Sequence, residues 1–250
     1  MFVSNPRGWT ASPGDPEQDS VFRAHCQGAG IPVFVHAPYL INFGSPTPLT
    51  LTRSVEATRH ALRRGAELGA RGVVVHAGSA VGGARRADAF GQVREHLRPL
   101  VDELTDDGPM LLVEPTAGGG AALAARVEDL PGYLDALGWH PRVGLCLDTC
   151  HLYAAGHDIA TASGMRSVLT AVSRAVDTGR VGLVHANDSA DPCGSTRDHH
   201  AAIGSGNIGL DAFGVLFTHP VTRGVPVVVE TPDAGHEQDI ALLRQARDTA

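Results

Sequence analysis

Six short apolar runs in this chain each end in a side chain able to ligate a metal, and longer segments of helical spacing separate them. The runs end at His36 in VFVHAPY, His76 in VVVHAGS, Glu114 in LLVEPTA, Asp148 in CLDTCH, His185 in LVHANDS and Glu230 in VVVETPD. Strands that alternate with helices pair in parallel through right-handed crossovers, because only that hand packs the helix back onto a twisted sheet. The class is therefore α/β. A chain of 250 residues is long enough for one barrel, and no linker, low-complexity run or composition break divides it, so a single domain over residues 1–250 is expected.

The pattern places strands at 2–5, 33–39, 72–76, 110–114, 143–148, 181–185 and 226–230. Helical spacing covers 17–28, 52–68, 84–105, 121–137, 163–178, 209–218 and 236–248. The first helix has Asp15 as its cap and Pro16 as its first residue.

A parallel barrel gathers the carboxyl ends of its strands on one face, so the six terminal side chains should converge there. Loops add His151, Asp198 and His200. Strand alternation puts Asp148 on the face of Cys146, with His151 on the loop just beyond. A lone D-x-x-H is ordinarily a cap and a loop histidine; recurrence of ligand types along the chain argues for more. Five histidines and four carboxylates in one basin exceed the needs of one tetrahedral zinc, and unpaired carboxylates there would repel. A nitrogen and oxygen donor set without thiolate suits zinc or manganese in a hydrolytic site.

Formal net charge is −7, which argues against a protein that coats nucleic acid in bulk but not against a locally positive cleft. Three divalent ions against four carboxylates would make such a cleft attractive to phosphate. Cys26, Cys146, Cys150 and Cys193 form neither a disulfide framework nor a C-x-x-C zinc motif, and are expected as reduced thiols, with Cys146 as core filling. No stretch approaches the roughly 18 apolar residues of a membrane span, and the first residues do not read as a secretion signal. A cytoplasmic monomer is expected. The other histidines read as helix residues (His25, His60, His96) or loop residues (His140, His157, His199, His219, His236). The GSGNIG of 204–209 fits G-x-G-x-x-G but follows a loop, so it reads as a tight turn into a helix. Gly118 to Gly120 likewise read as a strand-to-helix turn.

VEPTAGGG, CLDTCHLYAAGHD, and HANDS followed by GSTRDHHAAIGSGNIG resemble three signature blocks of the endonuclease IV family of apurinic/apyrimidinic endonucleases, and HAPYLINFG resembles a fourth. The resemblance runs over nearly the whole chain and implies a TIM (β/α)8-type barrel. It implies three zinc ions, with manganese an alternative at one position. One would be held by His36 and His76, sharing Glu114 with a second that also takes Asp148, His185 and Glu230. The third would be held by His151, Asp198 and His200. The implied activity is hydrolysis of the phosphodiester 5′ to an abasic site, leaving a 3′-hydroxyl and a 5′-deoxyribose phosphate, with trimming of blocked 3′ ends. Glu114 is the implied catalytic carboxylate. Arg7, Tyr39 and Leu40 match the family's residues that probe double-stranded DNA.

Some features depart from the family. Only seven strands are recognisable, since Met1 falls where the second strand of the family begins, so a first βα unit is expected to be missing. Gly119 stands where glutamine is common and Ala190 where a basic residue is common. Two other functions compete. A xylose-isomerase-like sugar isomerase or epimerase needs one metal, and Glu114, Asp148, His185 and Glu230 would supply it; His36, His76, His151, Asp198 and His200 would then be surplus. A non-catalytic binder of abasic DNA would keep affinity without cleavage.

Overall fold

The computed structural model describes residues 1–81, 85–231 and 233–250. It contains two compact units, Met1–Glu114 with Tyr133–Gly144, and Pro115–Gly132 with Leu145–Ala250. In the first, β1 (Phe34–His36), β2 (Gly72–His76) and β3 (Met110–Glu114) pair in parallel. Val35, Val73, Val74, Leu111 and Leu112 are buried, as expected of strands covered on both faces. His76 registers opposite Glu114, and His36 opposite Val74, two residues short of His76. Because side chains repeat every two residues, all three project from one face.

The strand expected at 2–5 is reduced to a bridge between Phe2 and His36, with His36 N–H donating to the Met1 carbonyl at 2.9 Å. The cause is local. Asn5 accepts the Arg7 N–H on its side chain and the Gly8 N–H on its carbonyl, and Pro6 has no N–H for a ladder, so the chain turns.

Helix α1 (Pro16–Gly28) begins as its sequence requires, with Asp15 accepting from the Glu17 and Gln18 N–H groups. Helix α2 (Pro48–Glu67) starts ahead of the expected residue 52 because Pro48 is preset for the first turn, and it buries Leu51, Thr58, Ala61 and Leu62. The helix expected over 84–105 is α3 (Arg86–Gln92), a π-helical stretch (Val93–Leu97) and α4 (Arg98–Asp102); residue 84 lies outside the described residues. Pro99 explains the interruption, since its ring displaces a carbonyl one turn back and the wider helix absorbs the clash.

Only the end of the helix expected over 121–137 forms, as a 3-10 turn (Val127–Asp129) and α5 (Leu130–Ala136). Gly118, Gly119 and Gly120 all have positive φ (97°, 90° and 53°), and Thr116 N–H bonds the Ala124 carbonyl, so the chain loops back first. Asp129 then accepts from the Ala125 and Arg126 N–H groups and starts the helical turn.

In the second unit, β4 (Val143–Asp148) pairs from Leu145 onward with β5 (Val181–His185), which pairs with β8 (Val227–Val228), both in parallel. Asp148 registers opposite His185, and His185 opposite Val228, two residues before Glu230. The last strand is shorter than the expected 226–230. Helix α6 (Thr149–Ala154) corrects the placement of His151, which lies on a helix rather than a loop. Asp148 is the reason: its Oδ1 accepts the His151 N–H at 2.8 Å, capping the turn that its own strand runs into. A short antiparallel pair, β6 (Asp188–Ser189) and β7 (His200–Ala201), precedes α8 (Leu210–Thr218), and α7 (Ala162–Ala175) and α9 (His236–Thr249) fall close to expectation. Among the described residues no helix is long and apolar enough to cross a membrane. Cys26, Cys146, Cys150 and Cys193 are thiols rather than halves of disulfides.

Candidate metal centre

In the first unit the ligand atoms of His36, His76 and Glu114 lie within 4.8 Å of one another. His36 Nε2 is 3.2 Å and His76 Nε2 3.5 Å from the same oxygen, Oε2 of the fully buried Glu114. The far nitrogen of His36 is already engaged, with Nδ1 2.6 Å from the Ala37 carbonyl. A carbonyl can only accept, so Nδ1 carries a proton, and Nε2 is the ring nitrogen turned to Glu114. The rings of Phe2 and Tyr39 each pack 5.2 Å from the His36 ring, and Tyr39 also packs 5.6 Å from His76.

The second unit repeats this arrangement. His151 Nε2 and His200 Nε2 lie 3.2 Å and 3.0 Å from one oxygen, Oδ1 of Asp198. Their Nδ1 atoms are again spent on carbonyls, His151 on Pro115 at 3.0 Å and His200 on Glu230 at 3.1 Å. Despite its short distance to Asp198, the buried His200 Nε2 forms no hydrogen bond. A third set adjoins it: His185 Nδ1 is 2.9 Å from Glu230 Oε2 and 3.9 Å from Asp148 Oδ2, and His200 Nε2 is 3.7 Å from that same Asp148 oxygen. Imidazole nitrogens facing shared carboxylate oxygens fit a divalent cation in each case.

Electrostatics agree. Burial pushes the Asp198 carboxyl up, but the adjacent His151 and His200 imidazoles outweigh it and hold the group well below the usual carboxylate range. Burial pushes the His200 imidazole down, yet Asp198 and then Asp148 lift it to about 9. The pocket is thus poised to hold positive charge. Burial, with the charge of Asp148, pushes the Cys150 thiol up to about 12. Its sulfur lies near Asp198 and His200.

Tyr39 and Leu40 are 44% and 38% exposed, and Arg7 is exposed. Tyr39 N–H donates to the Pro6 carbonyl, which sets the Arg7 turn beside it. His157 and His219 lie in loops, as expected, and both are buried and hydrogen-bonded: His157 accepts from Val127 N–H, and His219 lies 3.2 Å from the Thr170 hydroxyl. His199 is exposed and paired with Asp191.

Residues 1–247 match the family described as xylose isomerase-like TIM barrel. Over 251 residues the chain is 55% identical to a Streptomyces avermitilis protein named "Probable endonuclease 4", covering 99% of this chain and 81% of that one. A protein of the same name from Chloroflexus aurantiacus is 38% identical, with 98% and 87% covered. The crystal structure of endonuclease IV from Thermus thermophilus has 35% identity and a TM-score of 0.85, covering 100% of this chain and 88% of that one. The chain belongs to the endonuclease IV family. Its fold is the α/β TIM barrel that the family resemblance implies. A D-tagatose 3-epimerase-like protein, at 19% identity and a TM-score of 0.71, shares that fold.

Asn187, Thr149 and Asp188 of this endonuclease IV family member were not among the residues expected to matter, since none is at a strand end. Asp188 explains the GSGNIG loop. Its buried carboxylate accepts backbone N–H groups from Ser189, Gly204, Gly206, Ile208 and Gly209 at 2.8 to 3.4 Å, so the loop's amides wrap the chain's own anion. A Cβ on Gly206 would stand 2.5 Å from both Asp188 Oδ1 and the Ser189 carbonyl. Gly206→Ala is expected to destabilise the protein by about 1–3 kcal/mol through overpacking. Denaturant unfolding checks this, and an unchanged midpoint would show that the cage yields.

Proposed function

We propose that the protein is a zinc-dependent endonuclease of base excision DNA repair, acting on double-stranded DNA with abasic sites and trimming blocked 3′ ends. The observation that carries the reading is the duplicated motif in which two histidine Nε2 atoms face one carboxylate oxygen, Glu114 in one unit and Asp198 in the other. A sugar isomerase with one metal has no use for both. Family membership supports the same activity.

The nine donors His36, His76, Glu114, Asp148, His151, His185, Asp198, His200 and Glu230 would hold three zinc ions, shared as the family resemblance implies, with manganese an alternative at one position. Zinc, when bound, supplies positive charge against the phosphodiester and lowers the pKa of water at neutral pH. The protein's own share is to orient donors and exclude solvent. His36, His151 and His200 are locked as Nδ1 donors to carbonyls, so each presents its Nε2 without reorganisation. Glu114 Oε2, which His36 and His76 face, would take the proton of the attacking water. Attack by the water oxygen forms a new bond to phosphorus and breaks the one to the 3′-oxygen, which takes a proton from solvent and leaves as the 3′-hydroxyl while the phosphate remains on the deoxyribose.

An abasic nucleotide costs least to extrude because it has no pairing to lose, and Arg7, Tyr39 and Leu40 are exposed side chains available to probe the duplex. Tyr39→Ala is expected to weaken abasic-duplex affinity by about 1–3 kcal/mol, the worth of one aromatic stacking contact. Fluorescence anisotropy at fixed salt reads it, and equal affinity would remove Tyr39 from the DNA surface. The reading as a whole is tested by nicking of a duplex with one abasic analogue, before and after strong chelation and after zinc is returned. Cleavage lost on chelation and recovered with zinc is the expected result. Binding without nicking at full metal loading would instead make the chain a damage binder.

A further inference from the structure

Where the backbone ladder between β5 and β8 ends, a side chain takes it over. Ala186 N–H donates to the Val228 carbonyl at 2.8 Å, but Glu230 N–H, at the following rung, donates to Asn187 Oδ1 at 2.7 Å. This contact fixes which way the amide points. The oxygen must face the Glu230 N–H, so Nδ2 faces Asp148, and it donates to Asp148 Oδ2 at 2.6 Å.

The main chain that carries this amide is itself held. One hydroxyl, Thr149 Oγ1, accepts the Asn187 N–H at 2.9 Å and donates to the Asn187 carbonyl at 2.6 Å. Asn187 is 0% exposed and Thr149 1%, so no solvent competes for these groups. The other oxygen of Asp148 accepts the His151 N–H. Both oxygens of the carboxylate are therefore fixed in direction by donors that are themselves fixed.

We infer that Asn187, locked by Thr149, is a positioning residue that sets Asp148 and the Glu230 segment as one unit on either side of His185. The inference rests on the metal reading of this site and adds to it the group that determines donor geometry. It acts in two ways. The amide aims the Asp148 carboxylate toward His185 and His200, and it ties the backbone that presents Glu230 to that carboxylate, so that a shift in either ligand moves the other. Outer hydrogen bonds of this kind typically govern metal affinity by about 10- to 100-fold.

The test is zinc affinity of the full chain, measured by competition with a chromophoric chelator, alongside bound-zinc content, the cobalt absorption spectrum and the melting temperature of the metal-free protein. Asn187→Asp keeps size and shape but sets an oxygen against Asp148 Oδ2. It is expected to weaken zinc binding by about 10- to 100-fold and to change the cobalt spectrum. Thr149→Val, which removes the hydroxyl, is expected to act in the same direction, and Thr149→Ser, which retains it, to restore wild-type affinity. A role in folding alone would lower the metal-free melting temperature and leave affinity and spectrum unchanged.

Wild-type affinity in folded Asn187→Asp, or equal affinities in the two Thr149 variants, would overturn the inference while leaving the metal reading intact. Should Asn187→Asp fail to fold, the Thr149 pair decides. A wild-type chain that binds no zinc would overturn both.

Discussion

Glu114→Gln is expected to lower the rate of abasic-site cleavage by about 10²- to 10⁴-fold, the range for loss of a positioned acid–base group, while the fold survives. The substitution is nearly isosteric in a position with no exposed surface, so packing around Val113 and Leu112 is unchanged. What changes is charge. Oε2 is the oxygen that His36 and His76 both face, and an amide there has no negative charge to hold a cation and no basicity to accept a proton. Single-turnover nicking, zinc content and melting temperature should be read on the same preparation. A variant with full zinc content and undiminished turnover would remove Glu114 from the chemistry.

The second large effect is expected at Asp148. Replacing it with alanine removes the cap of α6, worth about 0.5–2 kcal/mol, and leaves the buried Asn187 amide without its acceptor, a cost of about 1–3 kcal/mol. It also removes the carboxylate that faces both His185 Nδ1 and His200 Nε2 on the Asn187 side of the pocket. Zinc that binds the native state alone raises the melting temperature by mass action, so a weakened site should narrow the gap between melts with zinc and with chelator. The expected outcome is a lower melting temperature in chelator, a smaller rise with zinc, and loss of nicking. A zinc-induced rise equal to wild type would show that Asp148 is a cap and not a ligand.

The strand ends were legible because strand geometry is a local rule. A run such as GVVVH or VGLCLD states its own length and the face of its last residue, and parity then places His36, His76 and Glu114 on one face, and Asp148, His185 and Glu230 on another. Asp15 with Pro16 likewise stated where α1 begins. The failures were local rules overruled by partners. The strand at 2–5 was cut short by the Asn5 turn, and the helix expected from residue 121 lost its first turns to three glycines of positive φ and the bond between Thr116 and Ala124. His151 was placed on a loop because a cap that is also a strand terminus has no separate signature in sequence.

Sequence alone determined the donor types, their order along the chain and the α/β class, since all of these follow from composition and periodicity over a few residues. Tertiary structure decided which atoms His151, His200 and Asp148 present. That choice depends on carbonyls and amides brought from 30 or more residues away, as Pro115 meets His151, Glu230 meets His200, and Asn187 meets both Asp148 and Glu230. No local periodicity encodes such a hydrogen bond; it exists only once the strands have stacked and the solvent that would replace it has been removed.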